Sequence, residues 1–294
     1  MNIGIGLKKT AYTPEAYAYE RYLISKGLKV QLEQEENLDL NNDVNIYIMG
    51  FRPFWKKLKG KALEIHEYQS LSTYPMAKLK DLMKKYTNKS PMGRIFLNEI
   101  VHKGINFNDK VPYIYRDMGV DIELFQKPND NPMYDIVYSG SIMGRLGLIN
   151  EITRLAKIGF KILIIGEVQK SIIEHFFVYK NIVFTGRVNR YELPELYSKC
   201  KAGLNYTPDI YPFNIQTSTK TLEYLASGLT LISNQYEWID NFSNKYSIEY
   251  INTNSLLKID DLKKIEYTND FKEFEWSNVL EKSNLYEFIM GIKN

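Results

Sequence analysis

Short apolar runs that stop at glycine recur along this chain, and stretches with helical spacing separate them. Residues 134–138 lead into Gly140, residues 160–165 stop at Gly166, and residues 182–185 stop at Gly186. Residues 148–158 read as a helix closed by Gly159, residues 192–199 as another, and residues 219–226 as a third closed by Gly228; residues 202–206 and 229–233 are further strands. Uniformly apolar strands separated by helices imply two buried sheet faces, which is the pattern of a parallel sheet with right-handed crossovers. The first half repeats it. Residues 2–7 form a strand holding Gly4 and Gly6, residues 14–26 a helix opened by Pro14 and followed by Gly27, and residues 28–32, 44–49 and 62–66 further strands. Residues 76–86 carry Met76, Leu79, Leu82 and Met83 at helical spacing. The expected fold class is α/β, with two Rossmann-like doubly wound domains, because 294 residues suit two medium domains. Residues 113–133, ending in a stretch rich in Pro, Asn and Asp, are the expected linker. Ligands of such sheets bind outside the carboxyl ends of the strands, so a cleft faced by both domains is the expected binding place.

Composition removes several classes. With 44% apolar and 25% charged residues the chain is not disordered. Lys plus Arg is 38 against 35 for Asp plus Glu, and a net charge of +3 gives no nucleic-acid footprint. A single cysteine, Cys200, excludes an intramolecular disulfide and a Cys-rich metal site. No apolar run is long enough to cross a bilayer. The start MNIGIGLKKT puts its apolar residues ahead of its lysines, the wrong order for a secretory signal, so a cytoplasmic location is expected. The 23 tyrosines are spread along both halves, and Tyr17, Tyr179, Tyr197 and Tyr224 fall at packing positions of expected helices. One local cluster stands apart: in residues 51–61, Arg52, Lys56, Lys57, Lys59 and Lys61 accompany Phe51, Phe54 and Trp55, and a second basic stretch spans residues 78–89. Such a patch can rest on an anionic membrane surface, giving a peripheral location, or be a solvated loop and helix face.

The most informative stretch is residues 206–234. Thr217, Ser218 and Thr219 offer hydroxyl caps at a helix start, where free N–H groups and the positive dipole end attract an anion. Lys220 adds a cation, and Glu223, three residues on, can accept hydrogen bonds from sugar hydroxyls. The same residues also suit a merely capped, solvated amphipathic helix. A second anion candidate is GSIMGRLG at residues 140–147, following a strand and opening a helix, with Arg145 as an oxyanion clamp. Its glycine spacing is not that of a dinucleotide fingerprint, which disfavours a nicotinamide cofactor. His66 and Glu67 close an expected strand, and a histidine there is well suited to a structural hydrogen bond; His102 and His175 read as structural, and Asp121 as ending a turn.

Four segments in order, GVDIELF at 119–125, YSGSIMGRLGL at 138–148, FTGRVNRYELPELYSKCKAGLNYT at 184–207 and TKTLEYLASGLTLIS at 219–233, resemble the nucleotide-sugar-dependent glycosyltransferases of the GT-B fold, in particular the large GT4-like group. Phe274 and Trp276 resemble that family's closing segment. The resemblance implies two Rossmann-like domains facing a cleft, with a C-terminal helix crossing back to the N-terminal domain. It places an acceptor-side domain at 1–126, completed by about 277–294, and a donor-binding domain at 127–276. It further implies hexosyl transfer, without a metal or resident cofactor, from a UDP- or GDP-linked sugar to a glycan or lipid-linked acceptor, as in bacterial surface polysaccharide or lipopolysaccharide synthesis. A nucleotide-sugar epimerase of the same fold and a non-catalytic nucleotide- or glycan-binding protein derived from it are the alternatives. Carried over by position, Gly6, Ser141, Arg145, Arg187, Thr217, Ser218, Thr219, Lys220 and Glu223 bind the donor, with His66 and Lys220 catalytic. Glu223 matches the second glutamate of the family's paired-glutamate motif, while Ile215 stands at the first and Ser141 where an Arg is usual.

Overall fold

The computed structural model describes residues 1–9, 13–48, 51–55, 60–73 and 75–293. The chain forms two compact units, Met1–Gly119 with Glu273–Asn294, and Val120–Lys272. The first contains β1 (Asn2–Leu7), α1 (Pro14–Ser25), β2 (Lys29–Gln34), β3 (Val44–Tyr47), β4 (Leu63–Tyr68), α2 (Ala77–Thr87), β5 (Gly93–Phe96), α3 (Glu99–Ile105) and β6 (Tyr113–Tyr115). The second contains β7 (Tyr134–Ser139), α4 (Leu148–Ile158), β8 (Ile162–Ile165), α5 (Lys170–Phe176), β9 (Ile182–Gly186), α6 (Leu193–Ser198), β10 (Cys200–Asn205), α7 (Thr219–Ala226), β11 (Thr230–Ser233), α8 (Glu237–Tyr246) and β12 (Ile251–Asn252). Helices α9 (Trp276–Lys282) and α10 (Leu285–Lys293) return to the first unit. Among the described residues no helix is long and apolar enough to cross a membrane.

Both sheets are six-stranded and parallel, ordered β2-β1-β3-β4-β5-β6 and β12-β11-β10-β7-β8-β9. In the first unit Ile3, Ile5, Ile46, Ile65 and Ile95 of the sheet meet Ala16, Tyr19 and Leu23 of α1, whose three- and four-residue spacing puts them on one face. Leu280, Leu285 and Ile289 join the same core, so the two terminal helices complete the unit. Gly93 opens β5 because α10 leaves no room for a side chain: a β-carbon would stand 2.6 Å from Ile292 Cδ1. The second unit buries Ile136, Ile162, Ile164, Leu204 and Ile232 against Ile152 and Leu155 of α4.

The segment expected as a linker is mostly committed to the units. Residues 113–115 are β6, and Arg116, 1% exposed, is fixed inside the first unit. Leu124 is buried in the second, with its carbonyl accepting from Ser227 Oγ at 3.1 Å. The division falls between residues 119 and 120 and again between 272 and 273, in place of the 126/127 and 276/277 read from the sequence. The cluster of Pro, Asn and Asp at 128–132 marks a surface loop of the second unit, and composition alone does not separate such a loop from a hinge.

Arg116, directly after β6, joins three other elements of the first unit. Its guanidinium pairs with Glu67 of β4, donates from Nε to the Tyr19 hydroxyl of α1 at 2.8 Å, and lies 5.2 Å from the Trp276 ring centre of α9. Burial pushes the Tyr19 hydroxyl up to about 12, against the pull of Arg116, so the phenol keeps its proton. Both partners of the ion pair have fully buried side chains, and removing one would strand the other's charge away from water. Arg116→Leu is therefore expected to cost about 3–5 kcal/mol, and Arg116→Leu with Glu67→Gln less than the single change. Urea denaturation followed by tryptophan fluorescence checks this; a midpoint unmoved by Arg116→Leu would contradict it.

Candidate functional site

The second unit starts its sheet at the centre. β7 is laid first, β8 and β9 extend one side, and the chain then returns to place β10, β11 and β12 on the other. The reversal between β7 and β10 is where a doubly wound sheet leaves a crevice at its carboxyl edge. The turns at that edge are tied together through their backbones, Gly140 N–H donating to Ile165 O at 2.9 Å and Gly166 N–H to Gly186 O at 3.0 Å. Gly147, at φ 89°, lies against Tyr206 after β10, and a β-carbon there would run into the Tyr206 hydroxyl. Arg145 Nη1 donates to the Tyr206 carbonyl at 3.4 Å, bridging the two flanks of the crevice.

Helix α7 begins beside this crevice. Ser218 caps it, its Oγ accepting from Thr221 N–H at 3.3 Å while donating to Asn205 Oδ1 at 2.9 Å. Asn205, the last residue of β10, is held in turn by Ser233 Oγ at 3.1 Å and the Tyr236 hydroxyl at 2.8 Å. The helix start is thus anchored to the ends of β10 and β11, and the N–H groups of Thr219 and Lys220 precede the first intrahelical bonds. The Lys220 side chain passes the glycine turn, its Cε 3.9 Å from where a Gly140 β-carbon would be.

Glu223 is not a solvated partner of Lys220. It is 6% exposed, and Oε2 accepts both the Lys220 ammonium at 2.6 Å and the Tyr197 hydroxyl at 2.8 Å. Tyr197 lies 2.7 Å from Ser139 Oγ at the end of β7. Burial and then the Glu223 charge hold the Tyr197 pKa well above its ordinary value, so it donates to Glu223 and receives the Ser139 proton. The chain Ser139, Tyr197, Glu223, Lys220 runs from the central strand through α6 to α7 and fixes the carboxylate's orientation. Sequence reasoning found Lys220 and Glu223 by their spacing but missed Tyr197, Ser139 and Asn205. Only Asn205 carried a signal, an amide directly after the apolar run at residues 202–204.

The remaining predicted donor residues are placed less closely. Ser141 is exposed after β7, with Oγ 3.5 Å from the Met143 carbonyl, and Thr217 directly precedes the cap. Arg187 is exposed after β9, two strands from β7, roughly 10 Å across the sheet. Ile215 lies in a short 3-10 turn before α7. A cavity of about 1010 Å³ opens elsewhere, lined by Lys201 and Thr230 at the amino ends of β10 and β11, on the edge opposite the glycine turns.

The first unit corrects several expectations. Gly6, expected to bind the donor, is a buried residue within β1 paired with Glu33 and Tyr47, and the turn after β1 begins at Lys8, which pairs with Glu35. His66 is 0% exposed in β4, with Nε2 3.1 Å from Glu64 Oε2, so it presents no atom to an acceptor and suits a structural part better than a catalytic one. Burial lowers its pKa, with Glu64 pulling the other way, and the ring is a neutral donor to Glu64. Burial opposes the Glu64 charge, yet hydrogen bonds from His66 and Arg52 hold its pKa far below the carboxylate range. Glu67 is likewise buried against Arg116. Arg52 leaves the expected membrane patch: it is 4% exposed, bonded to Glu35 at 2.6 Å and Glu64 at 3.2 Å, with its guanidinium 3.4 Å above the Tyr47 ring. Lys56, Lys57 and Lys59 lie outside the described residues.

Comparison with known proteins bears on both units. A family model described as "Glycosyl transferase-like" matches residues 145–265, which hold Arg145, Arg187 and the whole of α7. No curated protein matches the chain by sequence. Among solved structures, sucrose-phosphate synthase from Thermosynechococcus elongatus is similar with a TM-score of 0.70 at 12% identity, covering 99% of each chain. AviGT4, a glycosyltransferase involved in avilamycin A biosynthesis, gives 0.63 at 11% identity, covering 99% of this chain and 98% of its own. The Anabaena protein HepE, in complex with UDP and glucose, gives 0.53 at 10% identity, covering 100% and 97%. With two parallel α/β sheets and a glycosyl transferase-like segment over residues 145–265, the chain has the GT-B glycosyltransferase fold.

Proposed function

We propose that this protein is a glycosyltransferase that moves a sugar from a nucleoside diphosphate sugar to an acceptor hydroxyl. The observation that carries the reading is the capped start of α7, where Lys220 and the buried carboxylate of Glu223 stand beside the Gly140 turn at the sheet's reversal point. The two halves of a nucleotide ask for different chemistry, and this helix start offers both. Donor N–H groups and an ammonium suit a diphosphate. A carboxylate with both protein bonds on one oxygen leaves Oε1 for ribose hydroxyls.

In the transfer, the acceptor oxygen bonds to the anomeric carbon as the bond from that carbon to the phosphate oxygen breaks. The electron pair goes to the leaving diphosphate and the hydroxyl proton is released. Charge therefore grows on the diphosphate, and fixed donors aimed there stabilise the transition state. We assign that part to Lys220, the α7 N–H groups and Arg145, with Ser141, Thr217 and Arg187 as outer contacts. This scheme needs no metal ion. UDP is the favoured donor nucleotide, supported by the UDP in the HepE complex, with GDP second. The proposed acceptor is a glycan or lipid-linked saccharide of the kind used in bacterial surface polysaccharide or lipopolysaccharide synthesis, reached from a peripheral position at a membrane. Support for that part comes from the surface of the first unit, taken up below.

Calorimetry with UDP, GDP, CMP and dTDP is expected to show binding to one diphosphate above the rest, and no binding to any of them would end the proposal. Glu223→Ala should weaken that nucleotide by roughly 10- to 100-fold, the worth of hydrogen bonds to a charged group; unchanged affinity would remove the ribose assignment. Lys220→Ala should lower turnover by about 10²- to 10³-fold, more than it lowers affinity. Activity is expected to survive EDTA, measured as acceptor-dependent release of nucleoside diphosphate. Binding without such release across an acceptor panel would instead identify a non-catalytic module.

A further inference from the structure

Helix α2 turns its apolar face the wrong way for a core helix. The residues it buries are Ala77 and Asp81, while Leu79, Leu82, Met83 and Tyr86 are 44%, 49%, 47% and 66% exposed. Their three- and four-residue spacing gathers the four on one face, opposite the line through Ala77 and Asp81. What anchors the helix is polar: the Asp81 carboxylate accepts the Ser72 N–H at 3.0 Å and the Lys84 ammonium at 3.3 Å. Lys78 and Lys85 flank the apolar stripe on one side and Lys80 on the other. The turn at residues 51–55 lies along the helix end, Phe54 N–H donating to Thr87 O at 2.9 Å and Lys89 N–H to Arg52 O at 2.7 Å. It adds Phe54 and Trp55, 61% and 57% exposed and packed edge to face.

Charge decides what covers this face. Helix α2 carries four lysines and one acid, and that acid is buried and already paired. A second copy docked through the same face would set lysine against lysine, because a two-fold contact is self-complementary. An anionic bilayer offers what the face lacks: an apolar layer for the stripe, phosphate charge for its flanks, and an interface that favours Trp and Tyr. We propose that the first unit docks on an anionic phospholipid surface through α2 and the Phe54–Trp55 turn, with α2 lying in the plane of the interface. This surface keeps Phe54 and Trp55 of the residue 51–61 patch and takes its lysines from α2 in the 78–89 stretch, while Arg52 is withdrawn into the interior.

The inference does not rest on the donor chemistry, and its readout is physical binding. The full chain is centrifuged with vesicles of phosphatidylcholine and with vesicles of phosphatidylcholine and phosphatidylglycerol in equal parts. It is expected to pellet with the mixed vesicles only, and raised salt should release it. Lys78→Glu with Lys80→Glu should lower partition by about tenfold or more, and Leu82→Glu with Met83→Glu should abolish it. All four positions are exposed, so thermal melting should be unchanged, and nucleotide binding in the second unit should persist. Equal pelleting with both vesicle types, pelleting with neither, or variants that bind like the parent would overturn the proposal. So would concentration-dependent self-association in analytical ultracentrifugation that Leu82→Glu removes, since the face would then cover a second copy.

Discussion

A carboxylate taken out of water has to be paired, and the candidate site is built around that demand at Glu223. The Lys220 ammonium and the Tyr197 hydroxyl meet it on one oxygen, and Tyr197 is steadied by Ser139. Each partner comes from a different element, so the pairing also sets where α6 and α7 lie against the central strand. A buried pair of this kind adds little net stability, since desolvation offsets most of the attraction. Its worth is geometric, because it holds an acceptor oxygen and a cation a fixed distance apart at the edge of the sheet. The Ser218 cap and the Asn205 amide do the same for the helix backbone.

The first unit meets the same demand with different partners. Arg116 and Glu67 close its core beneath Tyr19 and Trp276, while Arg52, Glu64, Glu35 and His66 form a second buried network. Both networks tie elements of the first unit to one another. In the second unit the paired charges stand at the crevice. Two units with the same parallel architecture thus use buried ions to different ends, one to join elements and one to prepare a surface.

The strands that end at glycine were legible in the sequence because their signal is local. Gly140, Gly166 and Gly186 all have positive φ, which few other residues tolerate, and each marks a sheet edge. The capped start of α7 was legible for the same reason, since Ser218 and Lys220 act within one turn. Strands β5 and β6 were not: β5 has only four residues and begins at a glycine demanded by α10, almost 200 positions away. Tyr197 was invisible as a site residue because its partner lies 26 positions on. Arg52 was misread because its neighbours Phe51 and Phe54 are exposed, whereas Glu35 and Glu64, which draw it inward, come from other strands and turns. The helical spacing of Leu79, Leu82 and Met83 foretold an amphipathic helix but not which way it faces, since periodicity gives a stripe and not its direction.

The discontinuity of the first unit affects the order in which the chain acquires structure. Residues 120–272 are contiguous, so the second unit has every element it needs once they have left the ribosome. The first unit, although made earlier, waits for residues 273–293 to lay Leu280, Leu285 and Ile289 over its core. During synthesis the usual vectorial order, amino-terminal domain first, is therefore reversed: the second unit matures while its predecessor still has an uncovered apolar face. A nascent chain stalled short of α9 would carry a finished second unit and a first unit with an open, aggregation-prone apolar face, which makes α9 and α10 the elements that complete the first unit's core.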